Sequence, residues 1–427
     1  MRVATIFAGV PNPWQSGATL QHWALVTALR DAGHDVVLLA LPWEGDLEDQ
    51  ERIAAVRDLG VAVRVVDAEA SPRPRASRWG ARRDYARALV WPRDETLFPA
   101  VAYGRATADA LLEERPDAVV AHGTPAIAAT HRAPVPKLAL AGDPPGTSRR
   151  IRARWDPLHP WSLRREALLY RLGIATYAFR ADRRIYAMLR CFDSVGIFGA
   201  HYAAVARRNG VEAWYAPSPV EDPVGAGWRE RREAARPNEK PRILMIGHLR
   251  GVATISALHV FVADVLPRLD AALGRDGYEV HVAGAYDPPA SLRAALSHPA
   301  VFLRGHVEPP DEEFLRADCL LVPTPVPTGP RVRILTAFSY GCCVVAHKAN
   351  ALGIPELVNG ENALLTATEG LADATVRALH DPALRARLGA AGRAVYEERF
   401  TPEKAGGRIA AEVERLAGAR DARPVKA

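Results

Sequence analysis

Two stretches of the 427-residue chain hold residue types that could do chemistry. The first runs from Pro323 to Leu365. It follows an apolar strand pattern, opens with a Pro/Gly loop and enters a helical pattern at Val332–Ser339. A helix N-terminus offers free N–H groups and a partial positive charge, both suited to phosphate oxygens. Arg331 and Arg333 stand at that end, where guanidinium groups can grip a diphosphate in bidentate fashion. A strand–turn–helix with ordinary exposed arginines would carry the same letters. The second is a pair of strand-end residues, His122 after Ala118–Ala121 and Asp143 after Lys137–Leu140. An imidazole there can orient a substrate by hydrogen bonding, although a core or loop histidine reads alike. Asp143 precedes a proline, so it also fits a turn.

Several chemistries find no support. No GxGxxG follows a strand, and Pro11 and Pro13 after the first one remove amide donors that a dinucleotide fingerprint needs. GxSxG, the Walker lysine motif and DxD are also missing from the sequence. The four cysteines, Cys191, Cys319, Cys342 and Cys343, show neither CxxC nor Cys/His spacing, which fits reduced thiols in a cytoplasmic protein.

The elements that must position these groups alternate between short apolar runs and longer helical patterns, the rhythm of βα units around a parallel sheet. Strands are expected at Val3–Phe7, Asp35–Leu39, Val61–Val66, Ala118–Ala121, Lys137–Leu140, Ser194–Phe198 and Ala213–Ala216. Helical patterns intervene at Thr19–Ala32, Leu47–Leu59, Ala102–Glu114 and Ala200–Asn209. From Val220 to Pro241 the chain turns charged and Pro/Gly-punctuated, as a linker would. The rhythm restarts with Arg242–Ile246, Glu279–Ala283, Ala300–Leu303, Cys319–Val322, Cys343–Ala346 and Ala363–Leu365, and helices close the chain at Ala372–His380, Pro382–Glu398 and Pro402–Leu416. The expected organisation is therefore α/β with two Rossmann-like domains. Residues 1–219 form the first, 220–241 the linker, 242–401 the second, and 402–427 a terminal helix and tail.

Length and composition agree with two cores: 48 % of residues are hydrophobic and 24 % charged. The net charge of +6 is too mild to require nucleic acid. No apolar run reaches the roughly 18 residues of a membrane span, and the apolar start of the chain reads as a strand rather than a signal segment. Ser148–Arg190 breaks the pattern, with eleven arginines against Asp156, Glu166 and Asp182 and with interleaved aromatics. It reads as a helical insertion with solvated arginines, or as a surface for an anionic lipid or phosphorylated acceptor.

The stretch from Pro323 to Leu365 resembles the donor-binding signature of group 1 (family 4) glycosyltransferases. Ala337, Gly341 and Val344-Val345-Ala346 match its "A-x-x-x-G-x-P-V-V-A"; Gly353-Ile354-Pro355-Glu356-Leu357-Val358 and Asn359-Gly360-Glu361-Asn362-Ala363-Leu364 match the segments that follow. In order along the chain, Ile243–Leu249 resembles the strand and glycine opening the second domain. Arg304-Gly305-His306-Val307 is similar to the base-binding turn, and Glu398-Arg399-Phe400-Thr401 to the entry of the last helix. Ser16–His22 with Leu29–Val36 resembles the glycine loop and first helix, and Asp117–Gly123 the strand ending in an active-site histidine.

This resemblance implies the GT-B fold, two Rossmann-like domains facing each other across a cleft, with the C-terminal helix crossing back to the N-terminal domain. It implies sugar transfer from a nucleotide-diphosphate sugar with retention of anomeric configuration, and neither cofactor nor metal. Carried over residue by residue, His122 and Asp143 become catalytic positions. Gly247, His248, Arg250, Gly305, His306, Val307, Thr328, Gly329, Pro330, Arg331, Arg333 and Thr336 become donor contacts, and Gly17 and His22 acceptor contacts. The partners implied are the nucleotide sugar and a small-molecule, glycan or lipid-linked acceptor, with peripheral contact to an anionic membrane through 148–190 as a further expectation. Thr328 and Thr336 occupy the two positions where the family typically has glutamates, and Gly329, Arg331 and Arg333 resemble a subgroup's "G-x-R-x-K". A threonine hydroxyl is a weaker partner for a ribose than a carboxylate. Those replacements keep a non-catalytic GT-B paralogue open as an alternative, and an epimerase-like GT-B relative would need an acid–base carboxylate set.

Overall fold

The computed structural model describes residues 1–12, 17–42, 50–66, 94–155, 164–235 and 238–421. Seven parallel strands form the first sheet: β1 (Arg2–Ala8), β2 (Asp35–Leu41), β3 (Ala62–Val65), β4 (Ala118–His122), β5 (Lys137–Ala141), β6 (Ser194–Ile197) and β7 (Trp214–Tyr215). Their spatial order is β3-β2-β1-β4-β5-β6-β7. Six more, β8 (Arg242–Ile246), β9 (Glu279–Ala283), β10 (Val301–Gly305), β11 (Cys319–Val322), β12 (Val344–His347) and β13 (Leu364–Thr366), form a second parallel sheet ordered β10-β9-β8-β11-β12-β13. Continuous apolar strands such as Val3–Phe7 and Val36–Leu41 are buried because helices cover both faces of each sheet. Each sheet accordingly has two cores, one per face.

The helices that matter for the site are α1 (Gly17–Asp31), α2 (Gly123–Thr130), α3 (Pro145–Trp155), α4 (Arg164–Leu189), α5 (Ala200–Arg208), α6 (Val252–Val260), α7 (Val332–Ser339), α8 (Pro382–Arg399) and α9 (Gly407–Asp421). Strand order reverses between β1 and β4 in one sheet and between β8 and β11 in the other. Open parallel sheets bind ligands at the carboxyl ends of the strands beside such a reversal.

Helix α9 crosses back: Ile409, Ala410, Val413 and Leu416 are buried with Val3, Leu25 and Leu140 of the first domain. The expected linker is partly helical, at Trp228–Ala234. It is pinned to α8, where Arg393 donates to both oxygens of Asp222 at 2.9 and 2.6 Å and Tyr396 donates to the Val220 carbonyl at 2.8 Å.

Sequence patterning missed α6, which continues through Phe261–Val265 to Leu273. By length and composition the run Val252–Leu273 is apolar enough to cross a membrane. Its apolar character serves the second core instead, with Leu258, Phe261, Val265 and Leu269 fully or nearly fully buried there. In the arginine-rich segment, 156–163 lie outside the described residues. Tyr177, Ile185 and Tyr186 turn inward; Arg150 pairs with Asp182 at 2.9 Å and Arg149 lies over the Tyr177 ring. Trp155, at the end of α3, packs against the core of the second domain.

Candidate active site

The two strand-order reversals come together. Gly17 begins α1 just after β1, and a Cβ there would stand 3.4 Å from Val332 Cγ2, where α7 begins after β11. The cleft between the sheets is thus framed by two helix N-termini. The loop residues immediately before Gly17, including Ser16, lie outside the described residues.

On the first-domain side, His122 ends β4 and is only 4 % exposed; His22, on α1, is not exposed at all. Their Nδ1 atoms are 3.0 Å apart. Phe7 stacks on His22 at a centroid distance of 4.4 Å, and Phe198 meets His122 edge-on at 5.3 Å. Burial pushes His122 down to about 4 and His22 well below the usual imidazole range, the latter helped by the neighbouring ring. Both rings are therefore neutral at pH 7. His22, expected among the acceptor contacts, has no exposed surface here and faces His122.

Asp143 sits at the end of β5 and reaches across to the second domain, accepting a hydrogen bond from the Gly329 N–H. Burial raises its carboxyl to about 6, opposed by the Arg331 charge and that hydrogen bond. The start of α5 makes the same crossing. Tyr202 donates to the Pro327 carbonyl at 2.7 Å, the Ala200 N–H donates to the Gly353 carbonyl at 3.2 Å, and His201 lies 2.9 Å from the Pro327 oxygen. Tyr202 and His201 were not singled out in the sequence, since neither sits in a motif.

On the second-domain side, the two arginines have different roles. Arg331 is 6 % exposed and braces its own loop, donating to the Val326 carbonyl at 2.8 Å, Thr328 Oγ1 at 2.6 Å and Asn350 Oδ1 at 3.0 Å. These bonds engage Nε and Nη2 and leave Nη1, so in this structure Arg331 first serves its own loop. Thr328 accepts from Arg331 and is buried. Arg333 donates to Thr254 Oγ1 at 2.9 Å, and no acidic residue pairs with it among the described residues. Burial pulls its guanidinium to about 9, with the Arg331 charge adding to the effect, so it stays charged at pH 7.

Arg333 lies against Gly247, where a Cβ would come within 2.5 Å of Nη2. Gly247 follows β8 at φ +148°, and Gly284 follows β9 at φ +151°; a Cβ on Gly284 would fall 1.8 Å from the Gly247 carbonyl oxygen. The Gly284 N–H in turn donates to the Gly305 carbonyl at 2.7 Å. Three adjacent strands thus end in bare backbone beside a half-buried cation, as a ligand approaching the main chain would need. Gly284 and Thr254 escaped sequence reading; a glycine directly after a strand was the signal available for the former.

The remaining expected donor contacts are spread around this point. His248 and Arg250 both lie against the ring of Tyr286, at 4.7 and 5.7 Å. His306 faces Glu308 at 3.0 Å on the surface, and Val307 packs against the second domain's core. Pro330 immediately precedes the N-cap residue of α7, and Thr336 is buried on that helix.

Residues 240–381 match the family model described as "Glycosyl transferases group 1". No curated protein matches the chain by sequence. Among solved structures, sucrose-phosphate synthase from Thermosynechococcus elongatus aligns with a TM-score of 0.68 at 18 % identity, covering 98 % of this chain and 100 % of its own. WaaG, a glycosyltransferase involved in lipopolysaccharide biosynthesis, aligns at 0.60 and 15 % identity over 96 % of this chain and 99 % of its own. Anabaena HepE, solved in complex with UDP-glucose, aligns at 0.59 and 13 % identity over 97 % and 100 %. The chain has the two-sheet GT-B fold of these solved glycosyltransferases, and its residues 240–381 are similar to the group 1 glycosyl transferases.

Proposed function

We propose that the protein transfers a sugar from a nucleotide-diphosphate donor, with retention of anomeric configuration, to a small-molecule, glycan or lipid-linked acceptor. The observation that carries this reading is Arg333, a half-buried guanidinium with a hydroxyl partner and no carboxylate among the described residues. It lies against the main chain of Gly247 at the strand-order reversal of the second sheet. A guanidinium partly withdrawn from water and without a counter-ion is a favourable place for an anion, which a diphosphate would supply. The N–H groups at the start of α7 add donors at the same end, so leaving-group charge can be met without a divalent cation.

Complexes of a similarly folded protein with UDP and UDP-glucose support this class of donor. His122, neutral and on the opposite wall, suits a role in orienting the sugar by hydrogen bonding. The arginine-rich pair α3 and α4 supports a peripheral location at an anionic membrane from the cytoplasmic side, with Arg180 and Arg183 near the exposed Phe179.

Thermal denaturation with a panel of nucleoside diphosphates tests the donor assignment, since a ligand at 100 times its Kd stabilises by about 2.7 kcal/mol. Transfer assays with the matching nucleotide sugar, and NMR of the product's anomeric proton, test turnover and retention. One observation favours a second reading: Thr328, at the position of one expected glutamate, already accepts a hydrogen bond from Arg331 and carries no charge for a ribose. Binding of a nucleoside diphosphate without transfer or hydrolysis would then mark a partner subunit.

A further inference from the structure

Two histidines share the first-domain wall, and their hydrogen-bond inventory is incomplete in an informative way. The Nδ1 atoms of His22 and His122 are 3.0 Å apart, so one of them must donate and the other accept. His22 Nε2 is buried and has no partner among the described residues, while Phe7 stacks flat on its ring. His122 has its Nδ1 taken by His22 and retains Nε2, along with the 4 % of its surface that stays open.

Two arrangements of one shared proton are conceivable for neutral rings. If His122 donated from Nδ1, His22 would carry its own proton on Nε2 and bury an N–H with nothing to receive it. If His22 donates from Nδ1, its Nε2 is a bare lone pair instead. Orphaned buried N–H groups are rarer than under-satisfied acceptors, which favours the second arrangement.

We propose that His22 is a positioning residue that donates from Nδ1 to His122 Nδ1 and so fixes His122 as the Nε2–H tautomer. This rests on the reading of the protein as a glycosyltransferase with His122 at the sugar. Its consequence is specific. His122 then offers the cleft a hydrogen-bond donor, suited to a sugar hydroxyl or a developing negative oxygen, and is not a general base at Nε2. The second ring therefore fixes the polarity of the first, in the way that the hydrogen bond on one imidazole nitrogen sets which nitrogen carries the proton.

The test begins with the ligand-free wild-type protein, labelled with ¹⁵N-histidine, using long-range ¹H–¹⁵N correlations at pH 7. Signals of the two residues are assigned by their loss in His22→Asn and His122→Asn. The expected result is the Nδ1–H tautomer for His22 and Nε2–H for His122, both neutral. An Nδ1–H tautomer at His122, or a charged ring at either position, overturns the proposal whether or not any sugar transfer is detected.

The kinetic arm uses paired variants. His22→Asn keeps an N–H at the Nδ1 position, whereas His22→Leu removes it. With a working donor, His22→Leu should lower kcat about tenfold with donor KM within roughly twofold, as for one lost hydrogen bond felt mainly in the transition state. His22→Asn should recover most of that loss. Equal losses in both variants, or a loss carried by donor KM, would mark His22 as packing only. Should His22→Leu fail to fold, the wild-type tautomers and the His22→Asn kinetics still decide. Loss of transfer activity in the wild type, with the expected tautomers present, would instead count against the functional reading and leave the pair intact.

Discussion

At the end of β4 two imidazoles are buried against each other and have given up their charge. At the start of α7 two guanidiniums, one buried and one half-buried, have kept theirs. The same physical pressure, loss of water around an ionisable group, acts on both walls of one cleft. It has different outcomes because an imidazole titrates within reach of neutrality and a guanidinium does not. One wall therefore offers directional hydrogen bonds without a field, and the other a positive field. A neutral sugar beside a diphosphate would need that division.

The contrast repeats at smaller scale between Arg331 and Arg333. They are two residues apart, yet one spends its donors on its own loop and the other meets only a threonine hydroxyl. A guanidinium bonded to its own loop braces that loop; one left short of partners has donors to spare.

The largest effect should follow from removing the brace. Arg331→Ala leaves Val326 O, Thr328 Oγ1 and Asn350 Oδ1 without their donor and should cost roughly 3–5 kcal/mol in urea denaturation. Unchanged stability with lost nucleotide binding would reverse the roles assigned to the two arginines.

Next in size is the pH dependence of the neutral wall. His122 has a folded pKa near 4, below the unfolded value of 6.5, so the unfolded chain binds more protons between these limits. Stability should therefore be fully present above pH 6.5 and fall as pH drops through that window, by on the order of 3 kcal/mol at pH 4. Asp143, raised to about 6, works against this trend, since its protonation favours the fold over the same range. Comparing denaturation of wild type and His122→Asn at pH 7 and pH 4.5 isolates the histidine. A wild type no more acid-sensitive than the variant would show that the pair is not held neutral.

Arg333→Ala should cost roughly 1.5–3 kcal/mol of nucleoside-diphosphate binding, the worth of a charge-assisted hydrogen bond, with little loss of stability. Calorimetric titration checks it, and unaltered affinity would remove the positive wall from the donor site. The smallest effect is expected at Gly17→Ala. The added Cβ would meet Val332 at 3.4 Å, an ordinary contact, so stability should stay within about 0.5 kcal/mol. A larger loss would show that the two helix N-termini are pressed together more tightly than that spacing implies.

The sheets were legible because buried parallel strands are written as unbroken apolar runs. Arg242–Ile246, Glu279–Ala283 and Cys319–Val322 occupy the segments that periodicity assigned to them. The run Val252–Leu273 was not legible as a helix, being apolar on several sides and so lacking the amphipathic stripe that marks one. Strand ends were also readable as site positions, and His122, Asp143 and Gly247 all stand at them.

What sequence spacing left open was which of two like residues faces a ligand. Arg331 and Arg333 are equivalent as letters. Only the packing of residues 326–350 around one of them, and of Gly247 against the other, distinguishes the brace from the proposed binding group. His22 and His122 lie 100 positions apart, and nothing local to either predicts a shared proton. Local pattern determines which elements form, because each depends on neighbours along the chain. Charge state and hydrogen-bond direction depend on groups brought from distant segments, and those the tertiary structure alone decided.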